Sequence, residues 1–161
     1  MRRHIQWRDA MSVDHGVIDD DHRHLIDIIN RFTDHVVDSP DALAEAVDVR
    51  NALKFYTETH FTREERLQAL AGYPESRLQH DDHRRLLATL DEIIVATRSG
   101  ADPARITEDL GRLLKHWLLD HIIKLDLRMK PYAPLMKRHT TGLPPLREAS
   151  PVAMSAPPSA S

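Results

Sequence analysis

Residues Ile18, His22, Leu25, Ile29, Phe32 and Val36 recur at three- and four-residue intervals, the spacing of one helix face, and one of the six is a histidine. A second stripe of Val49, Leu53, Tyr56, His60, Glu64 and Leu67 and a third of Gln79, His83, Leu86, Leu90 and Ile94 follow the same period. The fourth runs Ile106, Leu110, Leu113 or Leu114, Trp117 and His121. Between the stripes lie Ser39-Pro40, Gly72, Pro74, Gly100 and Asp102-Pro103, the residues that stop one helix and start the next. The pattern predicts helices over 19–37, 41–70, 76–98 and 103–129. With short turns and no strand signal, the expected fold is all-α: an antiparallel up-down-up-down four-helix bundle with an N-terminal arm and a disordered C-terminal tail.

Composition sets the limits of that picture. The 161 residues suffice for one domain with a core of its own. Seven of the ten prolines fall in 131–161, so the bundle is expected over 1–132 and a Pro/Ala/Ser-rich tail over 133–161, disordered beyond about residue 145. A formal net charge of -3 offers no basic footprint for nucleic acid. No apolar run reaches membrane-spanning length and MRRHIQWRDA lacks the apolar stretch of a signal peptide, so a cytoplasmic protein without membrane contact is expected. The chain has no cysteine, which excludes disulfides and thiolate-held metals.

The polar residues on the apolar stripes carry the chemistry. A lone histidine on such a face is more often a core residue than a ligand. Here every helix has one, and Glu64 and Asp126 join them. Two carboxylates on inward faces need cations to neutralise them. His60 and Glu64 are one turn apart and can address one metal ion. His121 and Asp126 are five apart, which an ideal helix splays by roughly 140 degrees, so a local widening or a fraying end is expected there. Imidazole and carboxylate together suit iron, and zinc is tolerated.

Several runs resemble the bacterial hemerythrins: Trp7 and Ser12-Val13, then Ile18-Asp19-Asp20-Asp21-His22-Arg23-His24-Leu25, then His60-Phe61-Thr62-Arg63-Glu64-Glu65, then Gly72-Tyr73-Pro74 with His83, then Trp117-Leu118-Leu119-Asp120-His121-Ile122 with Asp126. The likeness spans about residues 5–132 in one register. It implies two iron ions with an oxo or hydroxo bridge, Glu64 and Asp126 bridging them. It implies His22 and His60 on the iron where dioxygen docks, His83 and His121 on the other, and Trp117, Leu118 and Ile122 walling an oxygen pocket.

The chain departs from the family's His-x-x-x-His motif, because the residue four before His83 is Gln79. Gln79 could ligate weakly or bond a water in the vacancy, and His80, about 100 degrees round the helix, could ligate only if the helix shifted. Among the other polar residues, the acidic run Asp19, Asp20 and Asp21 is expected to favour the start of its helix electrostatically, with Asp20 and Asp21 solvated; Asp81 and Asp82 beside His83 are expected to be solvated likewise, unless one of them accepts the far ring N–H of a ligand histidine. His4, His15, His24, His35, His116 and His139 are expected to be solvent-facing or terminal, and Trp7 to pack as core.

The resemblance implies a monomer that binds dioxygen for storage, delivery or sensing. The alternative is a diiron redox enzyme, or a protein handling nitric oxide or peroxide, with an extra open iron position also accessible to anions such as azide. A bundle holding zinc for structure is the third reading.

Overall fold

The computed structural model describes residues 4–35, 42–100 and 102–143. Four long helices are α1 (Val17–His35), α2 (Ala42–Ala71), α3 (Ser76–Arg98) and α4 (Pro103–Lys124). They pack α1 on α2, α2 on α3, α3 on α4 and α4 back on α1, which is the up-down-up-down bundle. A 3-10 turn, Asp9–Met11, precedes them, and a 3-10 stretch, Asp126–Tyr132, leads into a last short helix, α5 (Ala133–Lys137). Among the described residues no helix is long and apolar enough to cross a membrane.

The start of α1 is built from two aspartates. Asp14 accepts from the backbone N–H groups of Gly16, Ile18 and Asp19 at 2.9–3.1 Å, satisfying donors that a helix N-terminus leaves open. Asp19 reaches back to accept from Ser12 Oγ, Val13 N–H and His15 N–H. These bonds hold its carboxyl below the usual range although burial alone would raise it. The arm before this knot is clamped to α1 by a reciprocal pair, in which Ile5 N–H donates to Asn30 Oδ1 and Asn30 Nδ2 donates to the Ile5 carbonyl, each at 2.8 Å. Trp7 packs on the core with the Arg23 guanidinium 4.6 Å from its ring centre.

At the far end of α2, Gly72 has a φ of +66°. Tyr73 N–H donates to the Gln68 carbonyl at 2.9 Å, the glycine-dependent stop that the sequence announces. Helix α4 ends earlier than its pattern suggested. Leu125 N–H makes a last bond to the His121 carbonyl, Leu125 then departs to a φ of -114°, and the chain tightens into the 3-10 stretch instead of widening.

The core has two parts. The larger gathers Leu25, Ile29, Leu53, Tyr56, Phe61, Leu86, Leu90, Leu114, Leu118 and Ile122. The smaller gathers Val13, Ile18, Leu67, Tyr73, Met129 and Met136. Ala133 and Met136 are buried, so the packed part continues through α5, past the boundary expected at 132: the apolar face of Ala133–Lys137 finds cover that its proline-rich surroundings concealed. Residues 144–161 of the expected tail lie outside the described residues, as do the side chains of Phe32, Val36, Val49, Ile94 and Ile106 from the expected stripes and that of His35.

Candidate metal centre

A group of polar side chains touches both apolar clusters, through Phe61 of the larger and Met129 of the smaller. His22, His60, Glu64, His83, His121 and Asp126 are all buried, with Glu64 and Asp126 inaccessible to solvent. One set of donor atoms is contributed by His22, His60 and Glu64, and a second by Glu64, His83 and His121, the atoms of each set lying within 4.8 Å of one another. Glu64 belongs to both. Asp126 also faces both sets: its Oδ2 is 3.1 Å from His22 Nε2 and its Oδ1 is 3.0 Å from His121 Nε2. The turn from α4 into the 3-10 stretch brings Asp126 to that place despite the five-residue spacing.

Outer carboxylates fix which nitrogen points inward in three of the four imidazoles. His83 Nδ1 donates to Glu65 at 2.8 Å, His121 Nδ1 to Asp82 at 2.7 Å and His60 Nδ1 to Asp21 at 3.3 Å. With each Nδ1 holding the ring proton, each neutral ring presents Nε2 as a lone pair. The Nε2 atoms of His83 and His121 then face each other at 3.0 Å, and that of His60 faces Glu64 Oε2 at 3.0 Å. Lone pairs opposed at such distances repel unless a cation lies among them. Asp126 and Glu64 Oε2 are buried without an aligned hydrogen-bond donor, which leaves their charge to the same cation. The donor set therefore fits two metal ions sharing two carboxylates.

Protons take the metals' place when none is bound. Burial pulls His60 down, but hydrogen bonds and charge from Asp21 and Glu64 outweigh it and raise the group to about 9. Burial likewise opposes His121, yet Asp126 and Asp82 raise it to about 10. His83, where burial dominates, is lowered and stays neutral. Asp126 is held well below the usual carboxylate range, burial notwithstanding, by His121 and His22.

Gln79 is buried in this group, one turn before His83. Gln68, which sequence reasoning missed, donates from Nε2 to Glu64 Oε1 at 3.0 Å and to Gln79 Oε1 at 2.8 Å. The only signal that could have found it was its place four residues after Glu64 on the same face. His80 is exposed and donates to Glu65, so no shift of α3 brings it inward. Asp21, expected to be solvated, is buried between His60 and Arg63, whose Nη1 donates to it at 3.2 Å. Of Asp81 and Asp82, between which the acceptor role was open, Asp82 takes it and Asp81 is exposed. His24 is half-buried with its ring 4.6 Å from that of Tyr56, a correction to the solvent-facing expectation.

The aromatic surroundings come from Phe61 and Trp117. Phe61 stacks on His83 at 3.6 Å and 7°, and Trp117 lies over His121 at 4.8 Å. Leu118 and Ile122 are buried in the larger cluster.

Residues 14–133 match the Hemerythrin HHE cation binding domain. A bacteriohemerythrin of Stenotrophomonas maltophilia (strain R551-3) is 30% identical over 135 residues, covering 84% of this chain and 83% of its own. One from Pseudomonas aeruginosa (strain LESB58) is 31% identical over 119 residues, or 74% of either chain. A crystal structure of a hemerythrin point mutant superposes with a TM-score of 0.70 at 23% identity, covering 80% of this chain and 96% of that one, a likeness of fold. By its match over most of its length and by the relatives it shares, the chain belongs to the hemerythrin family, whose domain binds cations.

Proposed function

We propose that this chain is a non-heme diiron protein that binds dioxygen for storage, delivery or sensing. The observation that carries the reading is the pair of carboxylates, Glu64 and Asp126, each facing two sets of inward imidazoles in a buried core. In this reading His22 and His60 hold one iron, His83 and His121 the other, and Glu64 and Asp126 join the two. Two ferrous ions held there would supply the two electrons that dioxygen accepts. Asp21, Glu65 and Asp82 hold the histidine rings in place, and Leu118 and Ile122 on α4 keep bulk water from the centre. Trp117 completes the proposed oxygen-pocket wall. A cytoplasmic monomer is part of the same reading.

Anaerobic reduction followed by oxygen titration, monitored by absorbance alongside metal analysis, tests it. Two irons per chain and a reversible optical change on oxygen uptake are expected. One tightly held, colourless zinc after growth in iron-replete medium refutes it. The second reading, a diiron redox or nitric-oxide-handling protein, is favoured by Gln79, which offers an amide where another imidazole would close the second metal position. Catalytic turnover of peroxide or nitric oxide would select it.

A further inference from the structure

The chemistry of a carboxylate orients two buried amides. Glu64 Oε1 can only accept when ionised, so the Gln68 atom 3.0 Å away must be its NH2 group. The same NH2 lies 2.8 Å from Gln79, and the atom it meets there must in turn be an acceptor, the Gln79 carbonyl oxygen. Gln79 is thereby turned with its oxygen towards Gln68, leaving its own Nε2 as the free end of the amide. That Nε2 is buried and has no protein partner. A buried N–H donor in this state needs an acceptor. His80 supplies nothing inward, since it is exposed and bound to Glu65. The His83 and His121 set therefore has two imidazoles, a share of two carboxylates and, one turn before His83 and tied to Glu64 through Gln68, a buried amide donor without a protein acceptor.

Resting on the diiron reading, we infer that the metal position built on His83 and His121 keeps an exchangeable place of its own, in addition to the one beside His22 and His60. A small anion taken there is held by the Gln79 amide N–H. Gln68 is the positioning residue that aims this donor, and Gln79 acts as a hydrogen-bond donor and not as a metal ligand. The ligand class is a compact monoanion with an exposed lone pair, for which azide is the probe.

The test is an azide titration of the full-length diferric protein, followed by charge-transfer absorbance, with iron counted in each sample. Wild type is expected to take two azides per two irons. Gln79→His, which supplies a donor to the metal itself, should take one. Gln79→Leu should still take two, the second about tenfold or more weaker for want of the charge-assisted hydrogen bond. A single azide on wild type carrying two irons overturns the inference and leaves the diiron reading intact, whereas a wild type that cannot hold two irons overturns both. A Gln79→Leu variant that gains an azide or loses an iron shows the Gln79 oxygen to be a ligand, and overturns it too. If Gln79→Leu does not fold, Gln79→His decides: a fall from two azides to one supports the inference, and two retained overturns it.

Discussion

Asp82 accepts a 2.7 Å hydrogen bond from Nδ1 of His121 although the two residues lie on different helices and 39 positions apart. The bond selects the tautomer and fixes the ring, so Asp82→Ala should lower metal affinity about 10–100-fold with the fold intact. Asp81→Ala, its exposed neighbour, should change nothing. Chelator competition against both variants measures the difference, and equal affinities would dismiss the positioning role.

Glu64 and Asp126 make a sharper contrast. Glu64→Ala or Asp126→Ala removes a carboxylate that faces both imidazole sets, and should cost metal affinity at least about 100-fold, the upper end of what outer partners cost. His116→Ala, on the exposed side of α4, is the control. Iron retention equal in all three would remove the bridging assignment.

The metal-free protein should show an alkaline weakness. His60 and His121 sit at about 9 and about 10, above the ordinary histidine value, so each gives stability that is complete below pH about 6.5 and disappears as pH rises through those values. The thermal midpoint of metal-free protein is expected to fall between pH 7 and 10, by about 2–4 °C for each kcal/mol lost. Metal-loaded protein should stay level over that range, because the metal occupies the protons' place. Acidification should instead release metal by protonating the ligands. A flat alkaline limb without metal would contradict the assigned pairs.

Two changes beyond α4 separate the packed α5 from the expected tail. Deleting 146–161 should leave helicity, iron content and thermal midpoint nearly unchanged. Met136→Ala, by contrast, opens a cavity at a side chain with no solvent exposure and should cost about 2–5 kcal/mol. Denaturant unfolding of the two proteins would expose an error in either expectation.

The helices were legible because each rests on local signals: a 3.6-residue stripe, and Gly72, Gly100 and Pro103 at the ends. The inward histidines were legible for the same reason, since a polar residue on an apolar stripe is conspicuous. What escaped depends on partners from other helices. Asp21 looks like any acid at a helix start until α2 brings His60 and Arg63 against it, and Gln68 looks like a surface glutamine until α3 delivers Gln79. The burial of α5 escaped because five residues carry too little periodicity to announce a face.

The stretch Asp126–Tyr132 combines two properties. Its 3-10 backbone bonds are weaker than those of the regular helix it extends, and its first residue faces both halves of the centre. Cation occupancy of the buried interior would thus be coupled to the order of a segment whose Lys130 and Pro131 are exposed. Backbone amides over 125–132 should register loading and emptying before those of the four long helices do, making the end of the bundle an outward gauge of what its middle contains.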